Sequence, residues 1–393
     1  MEELTKEQKF YLMIKCAEDY IMDKAADILV AIRRKHDSEY TKPELCSDLL
    51  SDYKPKFKNN EEIPFEKIIE HFCHELQNYQ AMPRAINYAS YAKQNEKNNE
   101  EDTNIEYNNK IVEKVMDFYN YYKEKIPAKK PENEWDTCYI ELYEYLKKDK
   151  DINFEERKEL ARTVDKKTFY VKKDKEYIVT DIPSDFLKIL LDENKNNYKL
   201  NNEKNAYRCL YNFAWYKYSR GIVDILIQIK QLGGKKSYTE DIQKKCLYYN
   251  KLQSVKNLRD NIDEIKNSIK EFAEQITGIG DTMAYDFFKE LYCKYLIKDD
   301  VHIKECYTKC IDNIENEKEI FENFLELCLK CGEKKGKEIY TPYYIDKILW
   351  LCCTGIFYQD KDKVSIHYMT RKDFINYYKE KKEAIEKLCP NLT

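Results

Sequence analysis

Apolar residues recur every three or four positions along most of this chain, the period of helices that bury one face. The first such pattern runs from about Lys6 to Arg34, and Thr5 with Gln8 forms a capping box at its start. Further helical patterns cover about 44–53, 64–78, 83–93 and 106–124. A polar tract from Lys93 to Asp102 reads as an exposed loop, and Pro127 and Pro131 mark the next break. Buried helices are predicted near 206–232 and 342–353, the latter opened by Thr341 as cap and Pro342 at its first position. Two stretches alternate as strands do. They are Lys167 to Asp181, and Gly355 to Met369 with its turn over Gln359 to Asp362. No internal repeat is visible.

Composition strengthens this reading. Eight glycines and nine prolines in 393 residues interrupt helices seldom, so the expected class is mainly α with two minor β-hairpins. A hydrophobic fraction of 42% supports a sizeable core. All eight glycines lie after residue 220, and the net charge is −7 up to residue 200 and +3 beyond it. This change divides the chain into an acidic, glycine-free helical region, 1–200, and a second region, 201–393. The overall charge of −4 argues against a protein that coats nucleic acid or anionic membrane non-specifically. No apolar run approaches the roughly 20 residues of a membrane span, and the charged start, Met1-Glu2-Glu3, lacks a signal peptide, so a cytoplasmic protein with no membrane partner is expected. The 35 tyrosines are spread throughout and read as a compositional bias rather than a binding surface.

In that setting the fourteen cysteines read as thiols. Cys306 and Cys310 followed by Cys328 and Cys331 approach a four-cysteine zinc spacing. Both pairs lie within helical patterns, however, where thiols three or four apart more simply share a buried face. His71 and His74, one helical turn apart, have no third ligand at a convincing spacing.

The segment that carries chemistry is Ile276-Thr277-Gly278-Ile279-Gly280-Asp281-Thr282-Met283-Ala284, followed later by Asp300-Val301-His302. Gly-Ile-Gly between two helical patterns predicts a tight hairpin turn, because glycine reaches the positive φ angles such a turn needs. The amides opening the next helix then point outward and can hold a phosphate, which positions a duplex without reading sequence. The small Ala284 suits a helix packing back on its neighbour.

These residues resemble the helix–hairpin–helix (HhH-GPD) DNA glycosylase superfamily. Gly278, Gly280, Ala284, Asp300 and His302 fill its pattern, with 22 positions between Gly278 and Asp300. Asp300-Val301-His302 is most similar to the 8-oxoguanine branch. The motif spans some 30 residues, weaker resemblance extends over about 205–355, and the first 200 residues carry no recognisable resemblance. The resemblance implies a two-lobed helical fold, with an additional helical region before it and a DNA partner contacted through Gly278, Ile279, Gly280, Asp281 and Thr282. It implies Asp300 as the catalytic carboxylate, supported by His302 and Thr282. It also implies a pocket for a flipped base, with Asp286, Trp350, Phe357 and Tyr358 as candidate walls. No cofactor is required, although the family holds a monovalent or calcium ion on hairpin carbonyls, here Glu274, Ile276 and Ile279.

One departure matters. Where the bifunctional branch has an attacking lysine, two residues after the second glycine, this chain has Thr282. The expected activity is therefore that of a monofunctional N-glycosylase acting on a damaged or modified base in DNA, in which Asp300 stabilises a cationic sugar and activates water. Two alternatives stay open: an N-glycosylase of a free modified nucleoside or nucleotide, and a non-catalytic DNA-binding or interaction module in which Asp300 merely caps its helix.

Overall fold

The computed structural model describes residues 4–34, 38–39, 41–42, 45, 63–77, 103–149, 170–173, 176–179, 203–314, 316–336, 340–359 and 362–388. The chain is mainly helical. Among the described residues there are thirteen helices and two small antiparallel sheets. The helices are α1 (Lys6–Lys24), α2 (Ala26–Arg33), α3 (Phe65–Gln77), α4 (Thr103–Tyr122), α5 (Thr137–Lys148), α6 (Glu203–Gln231), α7 (Lys235–Tyr249), α8 (Val255–Glu274), α9 (Asp281–Glu290), α10 (Val301–Cys310), α11 (Glu317–Lys335), α12 (Pro342–Thr354) and α13 (Arg371–Leu388). Strands β1 (Tyr170–Lys173) and β2 (Glu176–Val179) lie between α5 and α6, and β3 (Ile356–Gln359) and β4 (Asp362–Ser365) lie between α12 and α13. The predicted helix at 83–93 and the polar loop at 93–102 lie outside the described residues, as does all but Leu45 of the helix at 44–53. No helix among the described residues is long and apolar enough to cross a membrane.

Local chemistry accounts for many boundaries. The Thr5 hydroxyl accepts the Gln8 amide while the Gln8 side chain accepts the Thr5 amide, completing the predicted capping box of α1. Thr341 caps α12 by accepting the Tyr344 amide, and Gly355 ends that helix at φ 62°. A side chain at Gly355 would place Cβ 2.3 Å from the Ile366 carbonyl, so only glycine fits the entry into β3. Both hairpins pair in register, Tyr170 opposite Val179 and Ile356 opposite Ser365. The predicted single helix from 6 to 34 is instead two, broken at Ala25 (φ −112°, ψ −29°). Ala25 and Ala26 are both wholly buried, and no glycine or proline marks the boundary.

The described chain forms two compact units. One comprises Met1–Glu62, Lys244–Ile269 and Phe288–Thr393; the other comprises Ile63–Gln243 and Lys270–Phe287. The compositional change at residue 200 lies within the second. In the first unit α1 packs on α10, α11, α12 and α13. Phe10 meets Phe324 edge-on at 5.3 Å, and the Tyr378 hydroxyl donates to the Cys310 carbonyl at 2.8 Å. In the second unit α6 packs on α3 and α5. Trp135 stacks on Tyr216 at 4.4 Å, and Phe72, Phe272 and Phe287 form a stacked trio. Each of these buried rings contributes about 1.5–3 kcal/mol by leaving water.

Candidate functional site

Residues 275–280 join α8 to α9 in the second unit. The end of α8 tightens, with the Gln275 amide on the Phe272 carbonyl and the Ile276 amide on that of Ala273. Ile276 and Ile279 are buried, and between them Gly278 takes φ +88°, a left-handed conformation that disfavours a side chain. Gly280 is exposed, and its carbonyl accepts the Met283 and Ala284 amides at 3.0 and 2.9 Å, starting α9. The helical bonds begin there, so the Gly280 and Asp281 amides are left over, as in any first turn. A Cβ at Gly280 would meet nothing within 4 Å. Asp281 is exposed, Thr282 half-buried and Ala284 fully buried. The Gly-Ile-Gly segment is thus a tight turn between two helices whose far side is open.

An anchor absent from the sequence-based site holds this turn. Asp224, with a wholly buried side chain, stands in the apolar run Ile222-Val223-Asp224-Ile225-Leu226 of α6. Its Oδ1 accepts the Tyr139 hydroxyl at 2.8 Å, and its Oδ2 accepts the Thr277 amide at 2.8 Å. The Lys130 ammonium lies 3.2 Å from Oδ2 and also donates to the Gln275 and Glu274 carbonyls at 3.1 and 3.4 Å. One turn earlier on α6, a Cβ at Gly221 would come within 2.5 Å of both the Thr277 carbonyl and Leu76 Cδ2. Burial, then the neighbouring Asp224 carboxylate, pushes the Tyr139 hydroxyl well above its ordinary range, so it remains a donor. A lone carboxylate in an apolar helical run was the available sequence signal, since burial of such a group demands partners.

Two of the three carbonyls expected to hold an ion already accept a hydrogen bond. That of Glu274 accepts Lys130, and that of Ile276 accepts the Ile279 amide at 3.2 Å. A metal ion there would also face the fixed positive charge of the lysine, a repulsion of about 4 kcal/mol at 4 Å near a protein surface.

Asp300 belongs to the first unit, where it is the N-cap of α10. Its Oδ1 accepts the His302 and Ile303 amides at 2.8 and 3.1 Å. Oδ2 has no hydrogen-bond partner among the described residues, and the side chain is half-buried. His302 Nδ1 lies 3.5 Å from the Arg371 guanidinium, which pairs with Glu305.

The candidate pocket residues are placed differently from one another. Asp286 is buried on α9 within the second unit. Trp350 is half-buried on α12 with Lys347 over its ring, and Phe357, 1% exposed, is a core residue of β3; both belong to the first unit. The side chain of Tyr358 lies outside the described residues. Lys289 is the lysine closest to Thr282 along α9, and its side chain is 4% exposed and pairs with Asp346. Glu290 forms an ion pair with Lys347 at 2.5 Å beside this pair.

Cys306, Cys310, Cys328 and Cys331 are all buried. Cys306 Sγ lies 3.6 Å from Cys353, and burial pushes Cys310 up to about 12 and Cys331 up to about 11. Among the described residues no group of three or more His, Cys, Asp or Glu side chains is arranged to hold a metal ion. No family model, no curated protein and no solved structure matches the chain.

Proposed function

We propose that the protein is a monofunctional N-glycosylase that releases a damaged or modified base from DNA, built on a two-lobed helix–hairpin–helix glycosylase fold. The observation that carries this reading is the turn at Gly278–Gly280. It is clamped from within, open on its outer side, and ends in first-turn amides that no helical bond uses. Such amides suit a backbone phosphate. Asp300 supplies the carboxylate. Two amides fix Oδ1, which leaves Oδ2 to stabilise positive charge on the sugar and to orient water as the base departs. Thr282 provides no amine, and Lys289 is buried in an ion pair, which supports base release by water rather than through a covalent sugar adduct.

The second reading is a non-catalytic DNA-docking module, favoured by the N-cap bonds that engage Asp300. A panel of duplexes carrying single modified bases, assayed for abasic sites with and without alkali, separates the two. Asp300→Asn should lower base release by orders of magnitude while duplex binding persists, and borohydride should trap no adduct. Full activity in Asp300→Asn, or successful trapping, would overturn the mechanism. Duplex binding with no base released from any substrate would establish the docking module.

A further inference from the structure

The Lys130 ammonium has three donors and three acceptors within reach, namely Asp224 Oδ2 and the carbonyls of Glu274 and Gln275. The two carbonyls terminate α8, where the helix dipole concentrates partial negative charge, and the carboxylate is wholly buried. A cation at that point balances the charge of a buried carboxylate that faces a helix C-terminus. The same carboxylate takes the Thr277 amide, and the following residue, Gly278, makes the left-handed turn. Gly221 lets the Thr277 carbonyl approach the same face of α6. The peptide entering the turn is therefore gripped on both sides, and Lys130 holds the grip closed.

We propose that Lys130 is the resident cation of the hairpin, a positioning residue whose ammonium does at the end of α8 what a bound metal ion would otherwise do. The proposal rests on the reading of the hairpin as a phosphate-binding element. Its structural half stands apart from that reading. Lys130 is 40% exposed at its side chain, so Lys130→Met should fold, and the adjacent, exposed Lys129 offers a control that removes the same charge without touching the anchor.

Hydrogen exchange of the peptide spanning 272–284, measured on the full chain without DNA, reads the clamp directly. In wild type, exchange should be unchanged when sodium is replaced by potassium or when calcium is added at matched ionic strength. In Lys130→Met it should quicken by about ten- to a hundredfold, the range expected from losing a hydrogen bond to a charged group, whereas Lys129→Met should match wild type. Anisotropy with a fluorescent duplex should show a greater loss of affinity for Lys130→Met than for Lys129→Met. Exchange that depends on the added ion in wild type, or that is unaltered in Lys130→Met, would overturn the proposal. Equal affinity losses in the two variants would overturn its positioning role. If wild type binds no duplex, the phosphate-binding reading fails, while the exchange result still decides whether Lys130 holds the turn.

Discussion

Gly221→Ala tests the packing of α6 against the hairpin by adding one methyl group. In an open helix alanine would gain about 1 kcal/mol over glycine. Here the new carbon would lie 2.5 Å from Leu76 Cδ2 and 2.5 Å from the Thr277 carbonyl oxygen. Leu76 is 1% exposed and cannot swing into solvent, and Thr277 is backbone whose amide is already committed to Asp224. Overpacking of this kind costs about 1–3 kcal/mol. If the Thr277 peptide moves to relieve it, the bond to a buried carboxylate weakens, a further cost of about 1.5–3 kcal/mol when fully lost. Against the gain in propensity, the balance is a destabilisation of about 2–3 kcal/mol. At about 2–4 °C per kcal/mol for a unit of this size, Tm should fall by roughly 5–10 °C. Urea and thermal unfolding followed by far-ultraviolet circular dichroism would measure it, with Gly280→Ala as the control because a Cβ there meets nothing within 4 Å. If Gly221→Ala were as stable as wild type, the close approach of α6 to Thr277 would be refuted.

The two glycines of the turn should separate stability from binding. Gly278→Ala forces a side chain into φ +88° and should cost about 1–2 kcal/mol in urea unfolding, whereas Gly280→Val should leave the urea midpoint in place and weaken duplex binding at physiological salt. The Glu7 carboxylate is held below its ordinary value by its hydrogen bond to Lys330 and by the nearby Lys334. A depressed carboxylate contributes stability that is present above the unfolded value of 4.5 and is lost as pH falls through the folded one. The Tm difference between wild type and Glu7→Gln should therefore be positive at pH 7 and shrink toward zero by about pH 3.

What the sequence by itself determined is local: the start of α1 in Thr5 and Gln8, the opening of α12 in Thr341 and Pro342, the two β-hairpins and the glycine turn at 278–280. Each depends on residues a few positions apart, through caps, turn dihedrals and hydrophobic period, so each is legible along the chain. Asp300 at the head of α10 is legible for the same reason, because an N-cap bonds to amides two and three residues on. The boundary at the buried Ala25 has no breaker residue to announce it. Phe357 was a plausible pocket wall in sequence and is a core side chain in the fold. The anchor of the hairpin joins Lys130, Tyr139, Asp224 and Thr277, which are separated by as many as 147 positions. Only tertiary structure brings them together, because a buried carboxylate is tolerated where the fold delivers its donors, and donors that distant leave no spacing to read.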